Sequence, residues 1–382
     1  MDWILECPAC RATRPPQGLD TVCACGQPWL VRYPERDWSR LTPGAFTDDR
    51  SMWRYRPFLP LTPAEAPVSL GEGLTPLLRA SKSGAQLGAG DLWIKEEGTN
   101  PTGSFKARGL SAAITRATFA GATKFTLPTA GNAGVAASAY GARAGAEVRV
   151  YAPESTPPTL LAQIRMYGGD LHTDPGHIGD CGKRSRAWAA ESGAMDLSTL
   201  REPYRIEGKK TLGIELAEQL GWTLPDVIIY PTGGGTGLIG MWKAFQELRD
   251  AGWVRGKLPR MYTVQSTGCA PIVKAFEGGA PSAMAWPEPW TVASGLRVPG
   301  PLGDRLILTA LRESGGGAVA VTDEALMTAA TIYSRLEGID LSPEGGASLA
   351  ALARLLAVRA VDPEERVIAF NTGAGWLYRS PV

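Results

Sequence analysis

The chain has 382 residues, 44% of them apolar, and a formal net charge of +1. That length makes one large or two medium domains. The near balance of charges argues against a nucleic-acid or membrane-surface protein, and no apolar run nears the roughly 20 residues that span a bilayer.

The first ten residues, "MDWILECPAC", lack the basic segment and apolar stretch of a secretory signal, so a cytoplasmic protein is expected. Four of the six cysteines fall in the first 25 residues, as Cys7-x2-Cys10 and Cys23-x-Cys25. A CxxC pair of thiolates is half of a zinc site, and the tighter second pair completes four candidate ligands. A structural zinc ion in a small ribbon is expected; a reduced, metal-free unit is the alternative. Residues 31 to about 70 are rich in Pro, Trp and Arg and read as an arm that wraps the main body, since aromatics at this density favour burial.

From about residue 70, short apolar strands alternate with helices. Strands are predicted at "DLWIKEE", "TKFTLP", "EVRVYAP", "DVIIYP", "RMYTVQ" and "RVIAFN", and helices over 104–119, 132–145, 156–168, 234–249 and 269–278. This alternation means βαβ units and a mostly parallel sheet. Ligands of such sheets bind in the loops after the strand ends.

Four of those loops carry chemistry. In "NPTGSFKARG", Lys106 falls in the first turn of a helix that Ser104 is placed to cap. A cation is disfavoured there by the helix dipole, but a neutral amine that attacks a carbonyl is well placed. In "YPTGGGTGLIG", glycines between a strand and a helix expose backbone N–H groups toward a phosphate. Gly235, Gly237 and Gly240 also satisfy a dinucleotide fingerprint. That fingerprint requires an acidic residue at the end of the next strand, where Gln265 stands instead. In "FNTGAGW", Thr372 offers a hydroxyl after a strand end, and in "LPTAGNAG", Asn132 sits at a strand–helix junction, where it reads as an N-cap. An amine, a phosphate cradle and hydroxyl and amide donors together describe pyridoxal phosphate. Cys181 and Cys269 read as buried small apolar residues, and His172 and His177 as structural.

These motifs resemble, in order, those of fold-type II pyridoxal-phosphate enzymes of the threonine synthase and threonine dehydratase superfamily. The resemblance runs from about residue 70 to the end. It implies two open, twisted, mostly parallel sheets flanked by helices, an α/β fold like that of the tryptophan synthase β subunit, with the Cys-rich ribbon in front. The implied domains are 1–30 for the ribbon, 31–70 for the arm, 71–103 with 216–382 for the large cofactor domain, and 104–215 for the small one. Lys106 is implied as the Schiff-base lysine. Phe105, Asn132, Gly233, Gly234, Gly235, Thr236, Gly237 and Thr372 are implied as cofactor contacts. Asn132 would meet the cofactor's 3-hydroxyl and Thr372 its pyridine nitrogen. Thr129, Ala130, Gly131, Ala133 and Arg205 are implied at the substrate.

Within the superfamily, "GEGLTPL", "YRIEGKKT" and the N-terminal cysteine unit resemble threonine synthases, which convert O-phospho-L-homoserine and water to L-threonine and phosphate. A serine/threonine ammonia-lyase or a β-replacement enzyme such as a cysteate synthase is the alternative; an NAD-dependent dehydrogenase is a remote one. Ala107 stands where Asp is usual, Ala130 and Ala133 lack hydroxyls, and "STLREPYRIEG" lacks the usual Asn-Ser. These departures leave a phosphorylated and an unphosphorylated amino-acid substrate both open. A homodimer is what the resemblance suggests.

Overall fold

The computed structural model describes residues 2–38, 41–42 and 46–379. The predicted arm over 31–70 therefore includes residues 39–40 and 43–45, which lie outside the described residues. In chain order the elements are β1 (Ile4–Glu6), β2 (Thr13–Arg14), β3 (Leu30–Arg32), β4 (Leu77–Arg79), α1 (Ser81–Leu87), β5 (Asp91–Glu96), α2 (Lys106–Phe119), β6 (Lys124–Pro128), α3 (Asn132–Ala144), β7 (Glu147–Pro153), α4 (Pro158–Met166) and β8 (Asp170–Asp174). They continue with α5 (Ile178–Ser192), β9 (Met195–Asp196), α6 (Tyr204–Gln219), β10 (Val227–Pro231), α7 (Thr236–Asp250), β11 (Arg260–Ser266), α8 (Pro271–Glu277), α9 (Asp304–Glu313), β12 (Gly317–Val321), α10 (Asp323–Glu337), α11 (Pro343–Ala357) and β13 (Arg366–Asn371).

Two compact units share the chain. One lies within Met1–Leu74 and Lys106–Leu212, the other within Thr75–Phe105 and Gly213–Arg379. The first holds a three-stranded antiparallel sheet, β2-β1-β3, and a four-stranded parallel sheet, β8-β7-β6-β9. In the parallel sheet, β6 and β7 bury Phe125, Leu127, Val148 and Val150 completely or nearly so. The segment after β3 is packed into this unit: Met52, Trp53, Leu59 and Leu61 form a cluster with Ala112 of α2. Glu72 lies buried in the same region, accepting from Trp53 Nε1 (2.8 Å), Ser111 Oγ (2.6 Å) and Tyr140 Oη (2.7 Å). A carboxylate taken out of water needs that many donors.

The second unit is built on a six-stranded sheet in the order β12-β11-β10-β13-β5-β4. Only β4 runs antiparallel to its neighbour; the other pairs are parallel. Strands buried on both faces read as unbroken apolar runs, and Val227-Ile228-Ile229 and Val367-Ile368-Ala369 are 0–1% exposed. The core joins this sheet to α10 and α11 through Leu326, Ala330, Ala347 and Leu352. No helix among the described residues is long and apolar enough to cross a membrane.

Candidate active site

Lys106 is the first residue of α2. The turn before it is tied down in the second unit: Phe105 N donates to the Thr372 carbonyl (3.0 Å), Ser104 bridges Gly373, and Ala374 N donates to Gly103 O (2.9 Å). The Phe105 ring meets Tyr230 edge-on at 6.0 Å, and Tyr230 meets Phe370 at 5.2 Å. Lys106 is thus covalently joined to a segment pinned along the end of β13.

The glycine loop after β10 is the clearest ligand cradle. Gly235 precedes α7 in the left-handed conformation (φ 80°), and no described side chain caps that helix. A Cβ at Gly233 would overlap the Gly295 carbonyl, one at Gly235 the Ile307 side chain, and one at Gly237 the Tyr230 hydroxyl. Only glycine fits these places. The backbone N–H groups of residues 233–237 are therefore presented with the helix N-terminus behind them, a site for a phosphate. Thr236 opens the helix and is buried; Gly234 is partly exposed.

Gln265 is committed elsewhere. Its Nε2 donates to Thr232 O (3.1 Å), and its Oε1 accepts from Ile272 N (2.9 Å) and Val273 N (3.2 Å). It braces the glycine loop and the start of α8 rather than addressing a ribose, and Gly240 lies inside α7. The dinucleotide alternative has no support here.

The loop before α3 corrects one expectation. Asn132 is not the N-cap; it is the first helical residue, and Gly131 (φ 131°) is the cap. The capping bonds come instead from Thr129, whose hydroxyl accepts from Gly131 N (2.9 Å) and Gly134 N (3.1 Å). A Cβ at Gly131 would overlap Leu160. Ala130, Asn132 and Ala133 are partly exposed, while Thr129 is buried and spends its oxygen on the helix.

Arg205, second in α6, is fully buried. Its Nη1 donates to Leu197 O (2.8 Å) and Thr199 Oγ1 (3.4 Å), and its backbone N to Glu202 Oε2 (3.1 Å). Its Nε and Nη2 are buried with no hydrogen-bond partner among the described residues. Burial pulls this guanidinium down and raises Glu202 to about 7, against the pull of Arg205. Just before them in the chain, Leu200 takes a left-handed backbone (φ 65°), rare for a side chain of its kind.

Several residues around the loops were not singled out from sequence. Asn371 donates to both Glu96 oxygens (3.1 and 2.8 Å) and accepts from Ser342 N (3.1 Å) and Oγ (3.0 Å). Burial lifts Glu96 to about 7. Glu344, buried in the first turn of α11, accepts from Gly295 N (2.8 Å), and its carboxyl is raised by burial. The Ser-Pro-Glu run at 342–344 is a helix-start signal that could have flagged this turn. Nothing in sequence could have joined it to Gly295.

The remaining expectations fall as follows. Cys7, Cys10, Cys23 and Cys25 place their sulfurs within 4.8 Å of one another. Cys181 and Cys269 are fully buried, and burial pushes both thiols up to about 11. His177 caps α5 through Nδ1, and His172 pairs with Asp170 and stacks on Tyr151.

The family model described as "Pyridoxal-phosphate dependent enzyme" matches residues 68–373. The chain belongs to that family, and the glycine cradle and uncapped helix α7 fit the cofactor's phosphate. It is 36% identical over 325 residues to a threonine synthase of Methanocaldococcus jannaschii, covering 85% of this chain and 80% of that one. A threonine synthase of Methanosarcina acetivorans is also 36% identical, over 328 residues, covering 86% and 80%. Among solved structures, maize serine racemase aligns with a TM-score of 0.68 at 23% identity, covering 79% of this chain and 88% of that one. The processed threonine deaminase isoform 2 of Solanum lycopersicum aligns at 0.67 and 20%, covering 88% and 94%. At those identities the structures speak to the fold alone.

Proposed function

We propose that this enzyme is a carbon–oxygen lyase of the threonine synthase type, turning O-phospho-L-homoserine and water into L-threonine and phosphate. The observation that carries the substrate is Arg205: a buried guanidinium with two N–H-bearing nitrogens unspent suits a dianion brought by the substrate. The identity to archaeal threonine synthases over most of the chain supports the same reading.

When bound, pyridoxal phosphate supplies an electron sink for the bonds at the substrate's Cα. The chain's residues do the rest. The backbone N–H groups of 233–237 would hold the cofactor's phosphate. The Thr372 hydroxyl would hold its ring nitrogen as a neutral donor, and the Asn132 amide would hold its 3-hydroxyl. Lys106 Nζ takes the Cα proton and returns it. Overall, the Cγ–O bond breaks with its electron pair leaving on phosphate. The hydroxyl of water adds at Cβ, Cβ gives up one hydrogen, Cγ gains one to become a methyl group, and water's other proton ends on the departing phosphate. Arg205 holds the departing phosphate.

A serine/threonine ammonia-lyase is the second reading, favoured by one feature: the loop 129–133 offers little hydroxyl chemistry, since Ala130 and Ala133 have none and Thr129 caps α3. The test is to incubate the holoenzyme with O-phosphohomoserine, threonine and serine in turn and identify products by proton and phosphorus NMR. Threonine plus inorganic phosphate from the first is expected. A 2-oxo acid and ammonia from an unphosphorylated amino acid, with the phosphorylated one untouched, would overturn the synthase reading in favour of the second.

A further inference from the structure

We propose that Cys7, Cys10, Cys23 and Cys25 bind one zinc ion, and that the metal keeps the ribbon folded as a brace across the end of α2 and the start of α6. The assignment does not depend on which amino acid the enzyme converts.

The sulfurs already form a small tetrahedron. Cys7 and Cys25 are 3.4 Å apart, Cys10 and Cys23 3.6 Å, and all four lie within 4.8 Å of one another. A zinc ion with Zn–S bonds of about 2.3 Å has S–S edges of about 3.8 Å. Disulfide bonding needs sulfurs about 2.05 Å apart, and all four cysteines are free thiols. Each pair sits on its own tight turn. Arg11 N donates to Cys7 O (3.0 Å) and Cys7 N to Ala12 O (2.8 Å); Gly26 N donates to Cys23 O (2.8 Å) and Cys23 N to Gln27 O (2.9 Å). Arg11 (φ 63°) and Gly26 (φ 84°) take the left-handed backbone such turns require. Zinc would displace a proton from each thiol, giving a tetrathiolate and four protons released to solvent.

The ribbon needs such a staple. β1, β2 and β3 are three, two and three residues long, and a sheet that short does not stand alone. What it covers gives the metal a purpose. Gly18 (φ 93°), between the two cysteine pairs, abuts Ala120 just past α2. Asp20, buried, accepts from Arg14 Nη2 (2.6 Å), Gly18 N (3.1 Å) and Tyr204 Oη (3.4 Å). The Arg116 guanidinium of α2 lies 5.0 Å over the Trp3 ring. Tyr33, just after β3, donates to Glu207 of α6 (2.6 Å). The ribbon therefore grips the far end of the helix that Lys106 begins and the first turn of the helix that carries Arg205.

The experiment uses full-length holoenzyme purified without chelator, its metals measured by plasma mass spectrometry. About one zinc per chain is expected. The double variant Cys10→Ser/Cys25→Ser changes the two exposed ligands and should lose the metal. Amide exchange should then quicken at residues 116–120 and 204–207, with α7 unchanged. If that variant does not fold, cobalt loading of the wild-type chain replaces it; a thiolate-to-cobalt charge-transfer band is expected. Iron in place of zinc, no metal after zinc reconstitution, or zinc retained by the double variant would overturn the site. Metal loss without faster exchange at those two turns would overturn the brace.

Discussion

At the scale of single residues, the account rests on an amine, a cradle and a buried acid. Lys106→Ala should lower turnover about ten-thousand-fold, measured as threonine formed; retained activity would remove the lysine from the chemistry. Gly237→Ala places a methyl on the Tyr230 hydroxyl, a ring already wedged between Phe105 and Phe370. The loop must shift, so cofactor affinity should fall about tenfold or more, read by titrating the apoenzyme with pyridoxal phosphate. Glu96 gives a pH signature. Burial raises it to about 7, whereas an unfolded Glu titrates near about 4.3. The folded state therefore holds this proton more tightly. The contribution of Glu96 to stability is complete below about pH 4.3 and is lost as pH rises toward 7, on the order of 3 kcal/mol. Glu96→Gln should flatten the fall of stability with pH across that window in denaturant titrations; an unchanged slope would contradict the assignment. Lys106 and the 233–237 loop were legible in sequence because turn chemistry and glycine runs are local. The Glu96–Asn371–Ser342 network was not, because its members are brought together only by strand pairing and helix docking.

At the scale of elements, the predicted strands fall within a residue or two of their observed ends, since each is a short apolar run closed by Gly or Pro. α9 was missed although Ile307, Leu308 and Leu311 give it an apolar face; other missed elements have no clean periodicity. α6 is one. Its first half is buried yet carries Arg205, Glu207, Lys209 and Lys210, so no apolar stripe marks it. Its charges are held in place: Lys210 Nζ donates to Glu207 (2.7 Å) and to Phe58 O (2.5 Å). β12 and β4 were missed as edge strands of the larger sheet. The pairing of α2 with α6 also depends on a glycine that sequence gives no reason to notice. A Cβ at Gly208 would overlap the Arg108 carbonyl of α2. Backbone does not yield as a side-chain tip does. Gly208→Ala should cost about 3 kcal/mol, seen as a lower thermal midpoint; an unshifted midpoint would mean the helices are not that close.

At the scale of the whole molecule, four motifs in the right order were enough to name the family, and the family match over 68–373 agrees. Sequence did not show that the ribbon and the segment after it share a unit with residues 106–212. Those contacts, such as Trp53 with Ser111 (3.0 Å), join residues far apart in the chain. It also could not choose the substrate, because Arg205, Thr129 and Leu200 differ from any simple pattern only in what their atoms touch. The central claim, that Lys106 carries the cofactor, is tested most directly by reducing the holoenzyme with borohydride and mapping the labelled peptide by mass spectrometry. A pyridoxyl group on Lys106 is the predicted result. A label on any other lysine, such as Lys209 or Lys210, or no label at all, would contradict it.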